Sequence, residues 1–301
     1  MLNEYYLEQV KLLIRVLPYI DREKCFALKG GTGINFFIRN LPRLSVDIDL
    51  TYLGFEDRST SFENINAALH RIEQNLRQDG LKTVCREGKE NIRKLICRSE
   101  KAQIIIEPNY TLRGLTYPVE QRPICSACQE YGYASIQVAS LADLFGGKIC
   151  AALDRQHPRD LFDIKNLMDN EGLTPEIMNG FIAALCGHNR PPHELLKPNR
   201  QSYSQTYKNE FMGMSEFQFN ESDCNTVFDH LVTDIHTEMS ILQKEYIISF
   251  FSLAKQLPPT DIPNCNRLPA LQWKRMNLRK LQKTNPTKFA QQLKDLENCL
   301  Q

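Results

Sequence analysis

The chain has 301 residues, 42% of them hydrophobic and 24% charged, with 37 Lys and Arg against 36 Asp and Glu. That describes an ordinary soluble globular protein with apolar material for one large core or two modest ones. No run reaches the roughly 18 uninterrupted apolar residues of a bilayer span, and Glu4 and Glu8 stand where a secretory signal has positive charge and an apolar block. Export and membrane insertion are therefore not expected, and the expected location is cytoplasmic.

In chain order, Tyr6, Val10, Leu13, Ile14 and Leu17 recur at helical spacing and predict an amphipathic helix ending near Pro18. A strand is predicted at Cys25 to Leu28, then a short helix from Thr32 to Arg39 opened by glycines and stopped before Pro42. Ser45 to Leu53 reads as a strand and Ser61 to Gln78 as a helix. Lys82 to Arg86, Arg93 to Arg98 and Gln103 to Glu107 read as further strands of the same sheet. Leu141 to Leu153 and Leu161 to Met168 are predicted helices separated by the polar DRQHPRD stretch. After about Thr174 only helical patterns occur, at Ile177 to Leu185, Cys224 to Leu253 and Ala270 to Leu281, with a loop-like interval from Arg190 to Asn220. The expected organisation is an α+β domain over 1–170, a mixed sheet with flanking helices, followed by a mainly helical domain over 171–301.

The ten cysteines lie scattered from Cys25 to Cys299, as expected of reduced thiols rather than a disulfide framework. The one close pair is Cys125 and Cys128. This C-x-x-C is either half of a metal or redox site or two incidental thiols, and no second pair follows at zinc spacing. From Arg267 to Lys288 the chain carries Arg267, Lys274, Arg275, Arg279, Lys280, Lys283 and Lys288 with no acid among them, around the only tryptophan, Trp273. Such a stretch suits a nucleic-acid backbone, or forms a solvated helix face.

The sharpest feature is KGGTGINFFIRNLPRLSVDIDL, in which Gly30, Gly31 and Thr32 precede a short helix and Asp47-Ile48-Asp49 lies inside a strand. Side chains alternate along a strand, so Asp47 and Asp49 share one face, roughly 7 Å apart at Cβ. Two close carboxylates are unfavourable unless they share a cation, and hard oxygen ligands suit Mg²⁺, which completes its shell with water and substrate phosphates. The glycines fit the same chemistry, since a turn without side chains lets main-chain N–H groups approach a phosphate. Spacing excludes a P-loop, which needs Lys-Ser or Lys-Thr, and a dinucleotide fingerprint, which needs a small residue where Phe36 stands.

The layout of paired glycines, a helix and Asp-x-Asp resembles the polymerase-β-like nucleotidyltransferase superfamily. More narrowly, GGTGINFF, RLSVDIDL and LADLFGGKICAALDRQHPRDLFDI resemble the AbiEii/AbiGii toxin family, nucleotidyltransferases of type IV toxin–antitoxin and abortive-infection systems; the resemblance spans about residues 20 to 170. It matches Gly30, Gly31 and Thr32 to the family's first turn, Ser45, Asp47 and Asp49 to its Ser-x-Asp-x-Asp, Lys148 to its helix lysine, and Asp160 with Asp163 to its later acidic motif. The chain departs from the pattern with Gly33 in place of an expected Ala and with Gly146-Gly147 ahead of Lys148.

The resemblance implies a Mg²⁺-dependent enzyme in which Asp47, Asp49 and Glu107 hold metal and Gly30, Gly31, Thr32, Ser45 and Lys148 seat a nucleoside triphosphate. Asp163 is a further site candidate. Glu107, at the end of Gln103 to Ile106, is a third ligand, a base, or an ordinary surface residue. Lys148 is either a triphosphate contact or a lysine on a solvated helix face, and Asp160 a helix cap. The implied acceptor is the 3′ end of tRNA, contacted through Arg267 to Lys288, with a cognate antitoxin as protein partner. Transfer to a small molecule or a protein, and a non-catalytic nucleotide- or RNA-binding regulator, are the alternatives. The arrangement requires the carboxylates at 47 and 49 to enter a cleft shared with Lys148.

Overall fold

The computed structural model describes residues 3–301. They divide into a sheet unit, formed by the chain through Ser140 with the returning segment Glu210–Gln218, and a helical unit formed by Leu141–Asn209 and Phe219–Gln301. The division falls at Ser140 rather than at the expected 170, because the helices that carry the 141–168 motif pack with the later helices.

In the sheet unit, α1 (Glu4–Asp21) is capped by the Asn3 side chain and buries Val10, Leu13, Ile14 and Leu17. It ends at Asp21, near Pro18 as expected, with the proline inside its last turn; there the missing proline N–H forfeits a single helical bond and the chain completes the turn. β1 (Phe26–Lys29) leads directly into α2 (Gly30–Gly33), which passes into a π-helical turn over Ile34–Ile38. β2 (Asp47–Tyr52) follows, then α3 (Arg58–Gln78), whose buried Ile65, Leu69, Ile72 and Leu76 match the helical period.

The remaining strands are β3 (Lys82–Glu87), β4 (Arg93–Arg98), β5 (Gln103–Asn109), β6 (Glu120–Pro123) and β7 (Ser135–Val138). The described residues form one seven-stranded sheet in the order β3-β4-β5-β2-β1-β7-β6. It is mixed: β2 runs antiparallel to β1 and parallel to β5, and β1 runs parallel to β7. α1 and α3 lie against it. β6 and β7 were not expected from the sequence: EQRP carries no apolar alternation and sits at the sheet edge, while SIQV is too short to signal by itself. The segment 210–218 returns to this unit through main-chain bonds from Asn3 N–H to Gly213 O and from Leu44 N–H to Met214 O, 3.1 and 2.7 Å.

In the helical unit, α4 (Leu141–Arg155) and α5 (Pro158–Asn170) are followed by α6 (Pro175–Gly187), and α4 packs closely on α6. A Cβ at Gly146 would collide with the backbone of Gly180 and Phe181, and one at Gly180 with Ala142 O. Gly146, a poor helix former, is thus required by the close approach of two helices. The loop-like interval after Arg190 contains α7 (Pro192–Leu196) and α8 (Ser204–Glu210). The helical pattern from Cys224 to Leu253 is carried by two helices, α9 (Glu221–Glu238) and α10 (Ile241–Phe251), divided where Ser240 caps the second with a capping box. α11 (Pro269–Thr284) and α12 (Pro286–Leu300) complete the unit. No described helix is long and apolar enough to cross a membrane.

Candidate active site

β2 shows the alternation its sequence predicts: Ile48 and Leu50 are fully buried, while Asp47 and Asp49 on the opposite face are partly exposed. Register places Lys29 of β1 and Glu107 of β5 on either side of Asp49. Glu107 in turn lies 3.6 Å from Lys94 of β4. Four adjacent strands therefore present Lys94, Glu107, Asp49 and Lys29 as a row in which a lysine flanks the carboxylate pair on each side, which offsets part of the repulsion between the two neighbouring carboxylates.

The glycine turn packs directly on this face. Gly30 has φ of 69°, the left-handed region, and a Cβ there would overlap the Asp49 carboxylate. A Cβ at Gly31 would come within 2.8 Å of the Arg43 guanidinium and 3.0 Å of the Ser45 hydroxyl. Gly30 needs glycine for its backbone conformation and for space, Gly31 for space alone. Buried Thr32 donates to the main-chain carbonyl of Asp47 at 2.6 Å and shares a hydrogen bond with Ser45 at 2.9 Å. Its one proton is committed to that carbonyl, so Thr32 fixes the start of β2. Arg43 is a buried cation that the sequence reading passed over; it donates to Leu44 O at 2.9 Å and lies behind the turn. Lys29 was also missed. Their signal was adjacency to the two motifs, Lys29 immediately before the glycines and Arg43 two residues before Ser45.

In the helical unit, Lys148 Nζ lies 2.7 Å from Asp160 Oδ1 and 3.0 Å from Asp163 Oδ2, with all three side chains buried. Arg155 adds two bonds to Asp160, 2.5 Å from Nε and 3.0 Å from Nη2. Burial pushes the Asp160 carboxyl up, but Lys148 and Arg155 together outweigh it and hold the group below the ordinary carboxylate range. The argument that a lysine in an apolar helix needs a triphosphate partner is corrected here, as is the solvated-face reading: the partners are the chain's own Asp160 and Asp163. The capping role expected of Asp160 is corrected too. His157 caps α5 by accepting from Arg159 N–H, and Asp160 is wholly buried in the ion-pair network.

The sequence profile of the nucleotidyl transferase AbiEii toxin, type IV toxin–antitoxin system, matches residues 11–233. The chain belongs to the AbiEii nucleotidyltransferase toxin family. Among solved structures, it is similar to the MenT4 nucleotidyltransferase toxin of Mycobacterium tuberculosis H37Rv, with 14% sequence identity, a TM-score of 0.61, and coverage of 80% of this chain and 87% of that one. At that identity the likeness is one of fold. No curated protein sequence matches the chain significantly.

AbiEii enzymes transfer nucleotidyl groups, a chemistry served by carboxylates beside a phosphate-accepting turn, and the sheet unit brings Gly30, Gly31, Thr32, Ser45, Asp47 and Asp49 together. The donor set fits a hard divalent cation: two carboxylates on one strand face, with the Asp49 carboxylate seated over a glycine that leaves it room. Among the described residues no three His, Cys, Asp or Glu side chains stand close enough to hold a metal. The trio of Asp47, Asp49 and Glu107 is therefore not assembled as a ligand set in this structure, where Glu107 pairs with Lys94. Mg²⁺ commonly takes only one or two carboxylates and draws the rest of its shell from phosphates and water.

The basic stretch separates into two kinds of residue. Lys274 turns inward, donating to the carbonyls of His188, Asn189 and Arg190 at 2.6, 3.2 and 3.1 Å, and burial lowers its ammonium to about 8. Arg275 donates to Ala254 O at 2.9 Å and covers the Phe250 ring. Neither extends into solvent as a nucleic-acid contact. Arg279, Lys280 and Lys283 are exposed on α11, where Trp273 is 43% and Met276 56% exposed.

Proposed function

We propose that this AbiEii toxin is a Mg²⁺-dependent enzyme that moves a nucleotide from a nucleoside triphosphate to the 3′ end of tRNA, and that a cognate antitoxin holds it in check. The single observation that carries this reading is the pairing of Asp47 and Asp49 on one strand face against the glycine turn at Gly30. When bound, a metal held by Asp47 and Asp49 supplies charge neutralisation at the phosphates. The Gly30–Gly31 turn admits the triphosphate because no side chain obstructs it. Lys29 contributes positive charge beside Asp49, and Thr32 with Ser45 keeps β2 in register with the turn. The acceptor hydroxyl forms the new bond to the α-phosphorus, the bond to pyrophosphate breaks, and the hydroxyl proton passes to a carboxylate, for which Glu107 is the candidate. Lys148, Asp160 and Asp163 form a positioning network in the helical unit. Arg279, Lys280 and Lys283 supply backbone contacts to the RNA.

The test is purified protein with Mg²⁺, labelled triphosphates and total RNA, followed by sequencing of RNA 3′ ends. Extended tRNA and released pyrophosphate are expected, lost by at least about 100-fold in Asp49→Asn, a loss comparable to removing one major electrostatic contact in a transition state. Label on a small molecule or on protein would replace the tRNA assignment. Tight triphosphate binding without pyrophosphate release would contradict the transfer mechanism.

A further inference from the structure

The segment between β6 and β7 has no part in the transfer chemistry and carries Cys125 and Cys128. Cys125 caps a one-turn helix, Ser126–Cys128, and Cys128 N–H donates to Cys125 O at 3.1 Å. A turn closed in this way keeps the two Cα atoms within about 7 Å, the range a disulfide spans. The two cysteines differ in access: Cys128 is fully buried and Cys125 partly exposed. A hydrogen bond from the Cys128 thiol lowers Cys125 to about 7 against the opposing effect of burial, while Cys128 itself is pushed up. An accessible, stabilised sulfur beside a protonated, buried one is the arrangement that separates an attacking thiolate from a resolving thiol. No third His, Cys, Asp or Glu among the described residues joins them to make a metal site.

We propose that Cys125 and Cys128 form a reversible dithiol–disulfide site that reacts with low-molecular-weight disulfides. The Cys125 thiolate attacks one sulfur of the small disulfide, forming a mixed disulfide and releasing one small thiolate. Cys128 then loses its proton and attacks Cys125 Sγ, closing the 125–128 bridge and releasing the second small thiolate. Two protein thiols are oxidised, one small disulfide is reduced to two thiols, and the two protons go to the departing thiolates. The loop is tied to the segment after the glycine turn: Cys125 N–H donates to Phe36 O at 2.8 Å, and Ala127 N–H and the Ser126 hydroxyl donate to Asn40 Oδ1 at 2.9 and 3.0 Å. Bridge formation thus acts on backbone bonded to the π-helical turn behind the site, a structural linkage independent of the acceptor assigned above.

The experiment treats the reduced full-length chain with oxidised glutathione, quenches in acid, alkylates the remaining thiols and analyses tryptic peptides by mass spectrometry. No Lys or Arg lies between Arg122 and Lys148, so one peptide carries both cysteines and neither Cys97 nor Cys150. Exposed Cys85, whose thiol is pushed up by burial and neighbouring charge, serves as the internal control. The expected result is an internal bridge in the wild-type peptide, a mixed disulfide trapped at Cys125 in Cys128→Ser, and neither product in Cys125→Ser. Alkylation at pH 7 is expected to be about tenfold faster at Cys125 than at Cys85, from the larger thiolate fraction. Retention of both thiols in the wild-type peptide while Cys85 takes up glutathione overturns the proposal. So does a Cys128→Ser chain, with a wild-type circular dichroism spectrum, that captures no glutathione at Cys125.

Discussion

At the scale of single residues, the site depends on groups that have no substitute of similar shape. Gly30 combines a left-handed φ with direct contact from the Asp49 carboxylate. Gly30→Ala is therefore expected to cost more than about 1 kcal/mol and to displace Asp49, lowering transferase activity well beyond its effect on the melting temperature. Calorimetry and an activity assay on the same sample separate the two effects. Asp160 is the second such residue. A carboxyl held below its unfolded value contributes stability in full above about pH 4, where an unfolded Asp is ionised, and loses it as pH falls towards the folded value. Asp160→Asn leaves Lys148 buried with less compensation, at an expected cost of about 3–5 kcal/mol near neutral pH. Urea unfolding at a series of pH values should show the gap between variant and wild type narrowing below pH 4; a pH-independent gap would contradict the assignment.

At the scale of elements, α11 distributes one run of basic residues between two tasks. Lys274 fastens the turn after α6 through three carbonyls, whereas Arg279, Lys280 and Lys283 face solvent. Changing those three together to Ala should leave the melting temperature nearly unchanged. It should lower the dependence of log affinity for RNA on log salt by about 2, at about 0.7 per lost contact to single-stranded phosphates. Lys274→Met should do the reverse, destabilising the fold while leaving the salt slope unaltered. Helical period alone could have hinted at this division, but the inward turn of Lys274 depends on carbonyls at 188–190, distant in sequence.

At the scale of the whole molecule, the sheet unit is discontinuous. Phe211 and Met214 are buried and belong with the chain before Ser140, reaching it through Leu44 and Asn3. A fragment ending at Ser140 lacks that segment and is expected to unfold at lower denaturant concentration than the same fragment joined by a flexible linker to residues 210–218. Equal unfolding midpoints would show that the returning segment adds nothing. The helical unit has its own demand, the Gly146 and Gly180 contact between α4 and α6. There a side chain larger than hydrogen meets backbone that cannot yield.

What the sequence determined by itself is local and periodic. Alternation in SVDIDL put Asp47 and Asp49 on one face, paired glycines marked the turn, helical spacing located α1, α3, α4 and α6, and the motifs together carried the family resemblance. What it missed depended on partners far along the chain. β6 and β7 exist because each pairs with a neighbour, not because EQRP or SIQV insists on a strand. Lys148 looked unpartnered because its acids lie on the following helix, a turn of backbone that brings residues 148, 160 and 163 into one buried cluster. Spacing along a chain fixes which side chains share a face. Only tertiary packing decides which charges meet, because the cost of burying an ion is settled by whatever opposite charge the fold delivers to it.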